Sequence, residues 1–216
     1  MCGRFAFYSS AQQVKRQFDI QFSLDFEPRY NICPGQSLSV LVSESGTVKA
    51  KNVGWGFEPK WGDNKTKLII NARAETVHDK NTFKTAFKKR RCVIFANGWY
   101  EWLKKGNEKQ PYYFSRSDLR LLAFAGILSA PKDESQSAII LTRDAPSALA
   151  FVHPRSPLLL TRKQISSWLS DVPFSFVSQT AIDEFDTQTL SCYQVSNKVN
   201  NVRNDYEDLI VKYNGF

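Results

Sequence analysis

Turn-forming residues cut this chain into short pieces. Pro28, Pro34-Gly35, Ser45-Gly46, Gly54 with Gly56, Asn97-Gly98, Pro111, and Pro154 with Pro157 interrupt it at intervals that exclude long helices. Between them lie apolar or alternating runs that read as strands: residues 37–42, 47–53, 68–70, 92–96, 99–103, 111–114, 121–127, 138–142, 157–160 and 191–195. Ser45-Gly46 predicts a hairpin turn, and Asn97-Gly98 predicts another. Helices are few and short. Ser9 and Ser10 can cap one that runs to Phe18, with Val14 and Phe18 on one face. Phe83 and Phe87 predict a second, basic one. Thr161 caps a third reaching Ser170, with Ile165, Trp168 and Leu169 inward. Residues 21–28, 28–35, 54–61, 153–157 and 196–204 read as loops. The expected fold is α+β: a single domain over residues 1–216, with mostly antiparallel, twisted, barrel-like sheets and a few short helices.

No apolar run approaches the roughly 18–20 residues of a membrane span, and the start of the chain lacks the apolar core of a signal peptide. A soluble, cytoplasmic protein is expected. The four cysteines, Cys2, Cys33, Cys92 and Cys192, are scattered, and only two histidines occur, His78 and His153. That pattern predicts free thiols in a reducing compartment, no metal site and no cofactor.

The 29 Lys and Arg against 21 Asp and Glu give a net charge of +8, which points to an anionic partner. Lys84, Lys88, Lys89, Arg90 and Arg91 cluster, and Lys104, Lys105 and Lys109 follow. Trp99, Tyr100 and Trp102 lie between the two groups. Cations for phosphates and rings for bases suit a single-strand groove. A solvated helix face explains the lysines equally well, but not the tryptophans.

Cys2 is the chemically distinctive residue. Loss of Met1 would leave an α-amine (pKa about 7.7–8.0) and a thiol (about 8.5) on adjacent carbons, a 1,2-aminothiol able to close a five-membered ring on a carbonyl. Taken alone, Cys2 is more readily an ordinary thiol. Glu101 sits between Tyr100 and Trp102, where desolvation would raise its pKa and suit it to proton transfer; it could also be a surface carboxylate paired with Lys104 or Lys105. His153 lies in a proline-bracketed loop beside Arg155, and a solvent-facing loop histidine is the plainer reading. Asn71 and Arg73 leave the strand at 68–70, placed either to orient a substrate and clamp a phosphate or to cap a turn and face solvent.

Taken in order, these pieces resemble the SOS-response-associated peptidase (SRAP) family of abasic-site-processing proteins. The matching pieces are Met1-Cys2-Gly3-Arg4-Phe5, Arg29-Tyr30-Asn31 with Pro34-Gly35, Trp55-Gly56, Ile70 to Glu75, Gly98 to Trp102, His153 with Arg155 and Pro157, and Val195-Ser196 with Val199-Asn200. They cover about residues 2–202. Asn97, where many members carry Asp, and Pro154 directly after the histidine are departures. The resemblance implies a protein that binds abasic sites in single-stranded DNA and joins them through Cys2 as a thiazolidine. It also implies lyase chemistry and removal of Met1 by self-processing. Cys2, Asn71, Glu101 and His153 would then be catalytic. Arg4, Arg73 and Arg155 would hold phosphates, and Asn31, Pro34, Trp55 and Trp102 would line the strand or stack on bases. A monomer acting at the bacterial nucleoid is expected. Two rivals stand: an N-terminal-nucleophile amidotransferase or hydrolase using Cys2, and a non-enzymatic single-strand binder.

Overall fold

The computed structural model describes residues 2–58, 68–130, 136–170 and 185–213. The short pieces assemble into two sheets. The strands are β1 (Phe5–Phe7), β2 (Arg29–Ile32), β3 (Ser37–Glu44), β4 (Thr47–Trp55), β5 (Asn71–Arg73), β6 (Arg91–Ala96), β7 (Gly98–Lys105), β8 (Glu108–Arg116), β9 (Leu122–Leu128), β10 (Ser137–Asp144), β11 (Arg155–Pro157) and β12 (Leu190–Gln194). The helices are α1 (Ala11–Phe18), α2 (Lys84–Lys89) and α3 (Arg162–Leu169).

One sheet closes on itself. β3 pairs with β4 and β6, β6 with β9, β9 with β10, and β10 returns in parallel to β4, making a five-stranded barrel. Closure removes free edges from these strands. β10 also carries β5 and β11 beyond the ring. The second sheet runs β12-β8-β7-β1-β2 and is antiparallel throughout. Aromatic rings fill the space between the two. Phe5 meets Trp55 edge-on at 5.2 Å, Trp99 stacks on Phe114 at 4.9 Å, and Phe124 touches both Phe5 and Trp99. A second cluster on the far face of the β7–β8 sheet gathers Tyr100, Tyr113, Val195, Val199 and Leu209.

Local chemistry accounts for the predicted elements. Ser10 caps α1 in a reciprocal pair with Gln13, and Val14 and Phe18 are buried. Ser45 and Gly46 both take positive φ, as a two-residue hairpin turn requires. Three expectations are corrected. Asn97-Gly98 is not a hairpin turn: β6 and β7 belong to different sheets, and the Asn97 side chain ties the crossing to Tyr8 and Ser9. Gly98 is required by a close approach, since a Cβ there would collide with the Phe114 carbonyl and the Tyr113 ring. Residues 29–32, read as loop, form β2 by pairing with β1, and the Asp205 carboxylate accepts from the Tyr30 and Asn31 amides. The strand placed at 68–70 lies later, as β5, preceded only by a bridge from Ile69 to Phe57. Of the loop expected at 54–61, Gly54 and Trp55 end β4, and residues 59–61 lie outside the described residues, as does Met1.

Candidate active site at the chain terminus

The first residues run along β7. Phe5 pairs with Trp99, and the Tyr100 amide donates to the Arg4 carbonyl at 2.9 Å, so the strand register carries Cys2 and Gly3 toward Glu101. Cys2 is fully buried. The Asn71 Nδ2 donates to its carbonyl oxygen at 2.8 Å, fixing the terminus on the edge of the barrel. Asn71 itself is held by β5–β10 pairing opposite Ile140, and the Trp55 indole N–H donates to the carbonyl of Ile70 just before it. The Asn71 Oδ1 is buried and accepts no hydrogen bond among the described residues. A buried acceptor without a donor costs stability, and it is a natural receiver for an incoming amine or hydroxyl.

Glu101 is buried on the face of β7 that carries Trp99, with Tyr112 directly across on β8. Burial raises its carboxyl to about 7, against the pull of the positively charged chain terminus. Burial and the charge of Glu101 push the Cys2 thiol well above its ordinary value. The His153 Nδ1 lies 3.0 Å from the Arg155 amide nitrogen and 3.2 Å from the Arg155 carbonyl oxygen, which fixes the ring on the loop. Burial and the charge of the terminus hold the His153 ring below its usual pKa. Cys2 and Glu101 are thus electrostatically coupled, His153 feels the charge of the same chain terminus, and Asn71 is bonded to the Cys2 carbonyl.

Arg4 lies beside this group. Its guanidinium donates to Asn31 Oδ1 at 2.8 Å and to the Val199 carbonyl at 2.6 Å, and it lies 5.8 Å from the Trp102 ring centre. The Trp102 indole N–H donates to Asn200 Oδ1 at 2.7 Å, leaving its ring half-exposed. Arg73 is exposed at the end of β5, and Pro34 is half-buried in the turn before β3.

Three residues expected to meet DNA make contacts within the chain. Trp55 is completely buried between the sheets and braces β5. The Asn31 amide donates to the carbonyls of Val199, Asn201 and Asn204 and accepts from Arg4; it fastens the C-terminal segment and positions Arg4. Both terminal nitrogens of Arg155 are committed to Glu75 (2.8 Å each), Asp144 (2.6 Å) and the Thr142 carbonyl, so Arg155 ties β11 to the turn after β5. The basic and aromatic stretch is also revised. Trp99 and Tyr100 are buried, and Arg91 is buried with its guanidinium donating to the Phe87, Trp168 and Ser170 carbonyls. The sequence offers Asn200 only as part of a matching motif and gives no signal for Asp205, which follows the Asn-rich loop. Among the described residues, no three His, Cys, Asp or Glu side chains come together as a metal site, and no helix is long and apolar enough to cross a membrane.

The profile of the SOS response associated peptidase (SRAP) family matches residues 1–202, and the chain belongs to that family. It is 32% identical to abasic site processing protein YedK of Escherichia coli (strain K12), covering 97% of this chain and 99% of that one. Against abasic site processing protein YoaM of Bacillus subtilis (strain 168) it is 30% identical, covering 97% of each. Abasic site processing protein HMCES of Gallus gallus is 30% identical over 86% of this chain and 66% of its own length. Among solved structures, a protein of Bacteroides thetaiotaomicron shares the fold with a TM-score of 0.80 at 21% identity, covering 98% of this chain and 100% of that one. A phage-related protein of Bordetella bronchiseptica has a TM-score of 0.76 at 27% identity, covering 90% and 94%.

Proposed function

We propose that this protein processes abasic sites in single-stranded DNA by joining them covalently to Cys2 once Met1 has been removed. The observation that carries the reading is the terminus itself: the Cys2 carbonyl is held by Asn71 at 2.8 Å, beside a buried carboxyl that titrates near pH 7. The relatives named abasic site processing proteins match almost the whole chain and supply the substrate class.

The ring-opened abasic sugar carries an aldehyde. The Cys2 amine adds to it and water leaves, giving an imine; the thiol then adds across the C=N bond, its proton passing to nitrogen, and a thiazolidine closes. Burial and the Glu101 charge disfavour the thiolate, so the amine attacks first and sulfur second. Glu101, near 7, is well matched to give a proton to the departing ring oxygen and water and to take one back. Asn71 Oδ1 orients the amine or a sugar hydroxyl, and His153 contacts the sugar hydroxyl or the adjoining phosphate and assists proton transfer. Arg4 and Arg73 hold phosphates, Trp102 stacks on a base and Pro34 shapes the strand's path. A Schiff base on this sugar also permits β-elimination, so lyase products accompany the crosslink, and Met1 is removed by self-processing. Holding the scarce aldehyde beside the amine makes the encounter effectively unimolecular.

The test is incubation with single-stranded DNA bearing one abasic site, followed by a denaturing gel. A heat-resistant shifted band is expected, absent with Cys2→Ala, with a retained N-terminal tag and with intact DNA. A band that survives Cys2→Ala overturns the reading. Glutamine hydrolysis without crosslinking would favour the amidotransferase rival, and salt-sensitive binding indifferent to the missing base would favour a plain single-strand binder.

A further inference from the structure

Outside the residues already assigned, one aromatic side chain is exposed and touches the residue paired with Glu101. Phe151 is 55% exposed, and among the described residues no other phenylalanine or tryptophan is as open to solvent. Lone exposed apolar residues are common and mean little by themselves. Phe151 differs in being held out by a fixed framework. The turn that carries it is stitched by hydrogen bonds from the amides of Leu149 and Ala150 to the Pro146 carbonyl, from Val152 to the Leu149 carbonyl, and from Ala145 to the Pro154 carbonyl. Leu149 and Val152 on either side are buried, which anchors the turn and leaves Phe151 pointing outward.

Its location gives the second observation. The Phe151 ring meets the Tyr112 ring edge-on, centroids 5.8 Å apart at 87°. Tyr112 is buried directly across the β7–β8 pair from Glu101, on the same face of the sheet, and its hydroxyl accepts from Gln194 Nε2 at 3.0 Å. Phe151 is also two residues before His153. The exposed ring is thus tied through Tyr112 to the strand position opposite Glu101 and through the chain to His153, while Trp102 beside Arg4 is a second, half-exposed ring.

Building on the abasic-site reading, we propose that Phe151 forms a base-stacking subsite for the nucleobase next to the abasic sugar, and that this subsite makes crosslinking faster beside a purine than beside a pyrimidine. A lost base leaves its neighbour without a stacking partner on one side. An aromatic face presented there replaces that partner, and the larger purine surface gains more from it. Tyr112 keeps the ring upright through the edge contact, so little side-chain freedom is lost when a base arrives.

The experiment uses the full chain with Met1 removed and single-stranded oligonucleotides carrying one abasic site. 2-Aminopurine, adenine or thymine is placed immediately 5′ or 3′ of the site. On one of the two sides, 2-aminopurine fluorescence should be quenched on binding, and adenine should crosslink about five-fold faster than thymine. Phe151→Ala and Phe151→Leu should lose both the quenching and the preference. Phe151→Trp should keep both. Phe151→Leu retains apolar bulk, and thermal melts matching wild type exclude a folding cause. Equal rates with adenine and thymine on both sides in the wild type overturn the proposal, as does a preference that survives in a folded Phe151→Leu. Absence of any crosslink in the wild type would instead strike the abasic-site reading, so the two failures are distinguishable.

Discussion

Two carboxylates near the terminus have opposite surroundings. Glu101 is buried against tryptophan and tyrosine on β7, and burial raises it to about 7. Glu75 follows β5 and is part-exposed. Burial pushes it up as well, but the Arg155 guanidinium bonded to both its oxygens overrides that and holds it below the ordinary carboxylate value. One carboxyl exchanges protons near neutral pH; the other is a fixed anion that ties β11 to the barrel. The same contrast separates two tryptophans: Trp55 is a strut between sheets, and Trp102 is a half-exposed ring beside Arg4. Residue type thus names what a side chain can do, and burial with or without a counter-charge decides which role it takes.

The largest expected effect separates the two carboxylates in rate. Glu101→Gln should slow crosslinking by roughly 10²-fold or more in single-turnover gels, while binding to a stable abasic analogue changes less than about two-fold. Equal loss of both would make Glu101 structural. The second effect is on stability. The folded state keeps the Glu101 proton up to about pH 7, whereas the unfolded chain releases it near the ordinary value of 4.5. Stability therefore falls as pH rises through that window. Denaturant melts at pH 4 and pH 8 should show wild type losing about 3 kcal/mol relative to Glu101→Gln. No divergence would mean the carboxyl is not desolvated.

Smaller effects belong to the paired region. Arg155→Ala should destabilise by about 2 kcal/mol, since it leaves bonded groups without partners, and combination with Glu75→Gln should be less than additive. Crosslinking at a temperature where the variant is folded should drop only a few-fold; a loss as large as that of Glu101→Gln would return Arg155 to the DNA surface. Smallest of all, Arg73→Ala should weaken binding evenly across sequences and reduce the salt slope by about 0.7, as expected for one phosphate contact on a single strand.

Most of the elements are legible in the sequence because their signals are local. The Ser10 cap, the Ser45-Gly46 turn and the Phe83–Phe87 spacing each act within a few residues. The misreadings come from partners far along the chain. Asn97-Gly98 resembles a hairpin turn, yet its amide serves Tyr8 and Ser9, about ninety residues away. Asn31 reads as a loop residue, yet the C-terminal segment, some 170 residues later, takes up its hydrogen bonds. Alternation placed Glu101 with Trp99 and Tyr100 with Trp102. It could not say that both faces of β7 are covered, so Trp99 and Tyr100 read as surface rings although both are buried.

The central claim is that the amine and the thiol of Cys2 both enter the bond with the abasic sugar. Its most direct test is mass spectrometry of a tryptic digest of the crosslink after treatment with borohydride. The account predicts the peptide Cys2-Gly3-Arg4 carrying the sugar remnant, with no hydride gained, because a closed thiazolidine has no imine to reduce. A remnant on a lysine peptide, or a Cys2 adduct that takes up hydride and leaves a free thiol, would contradict it.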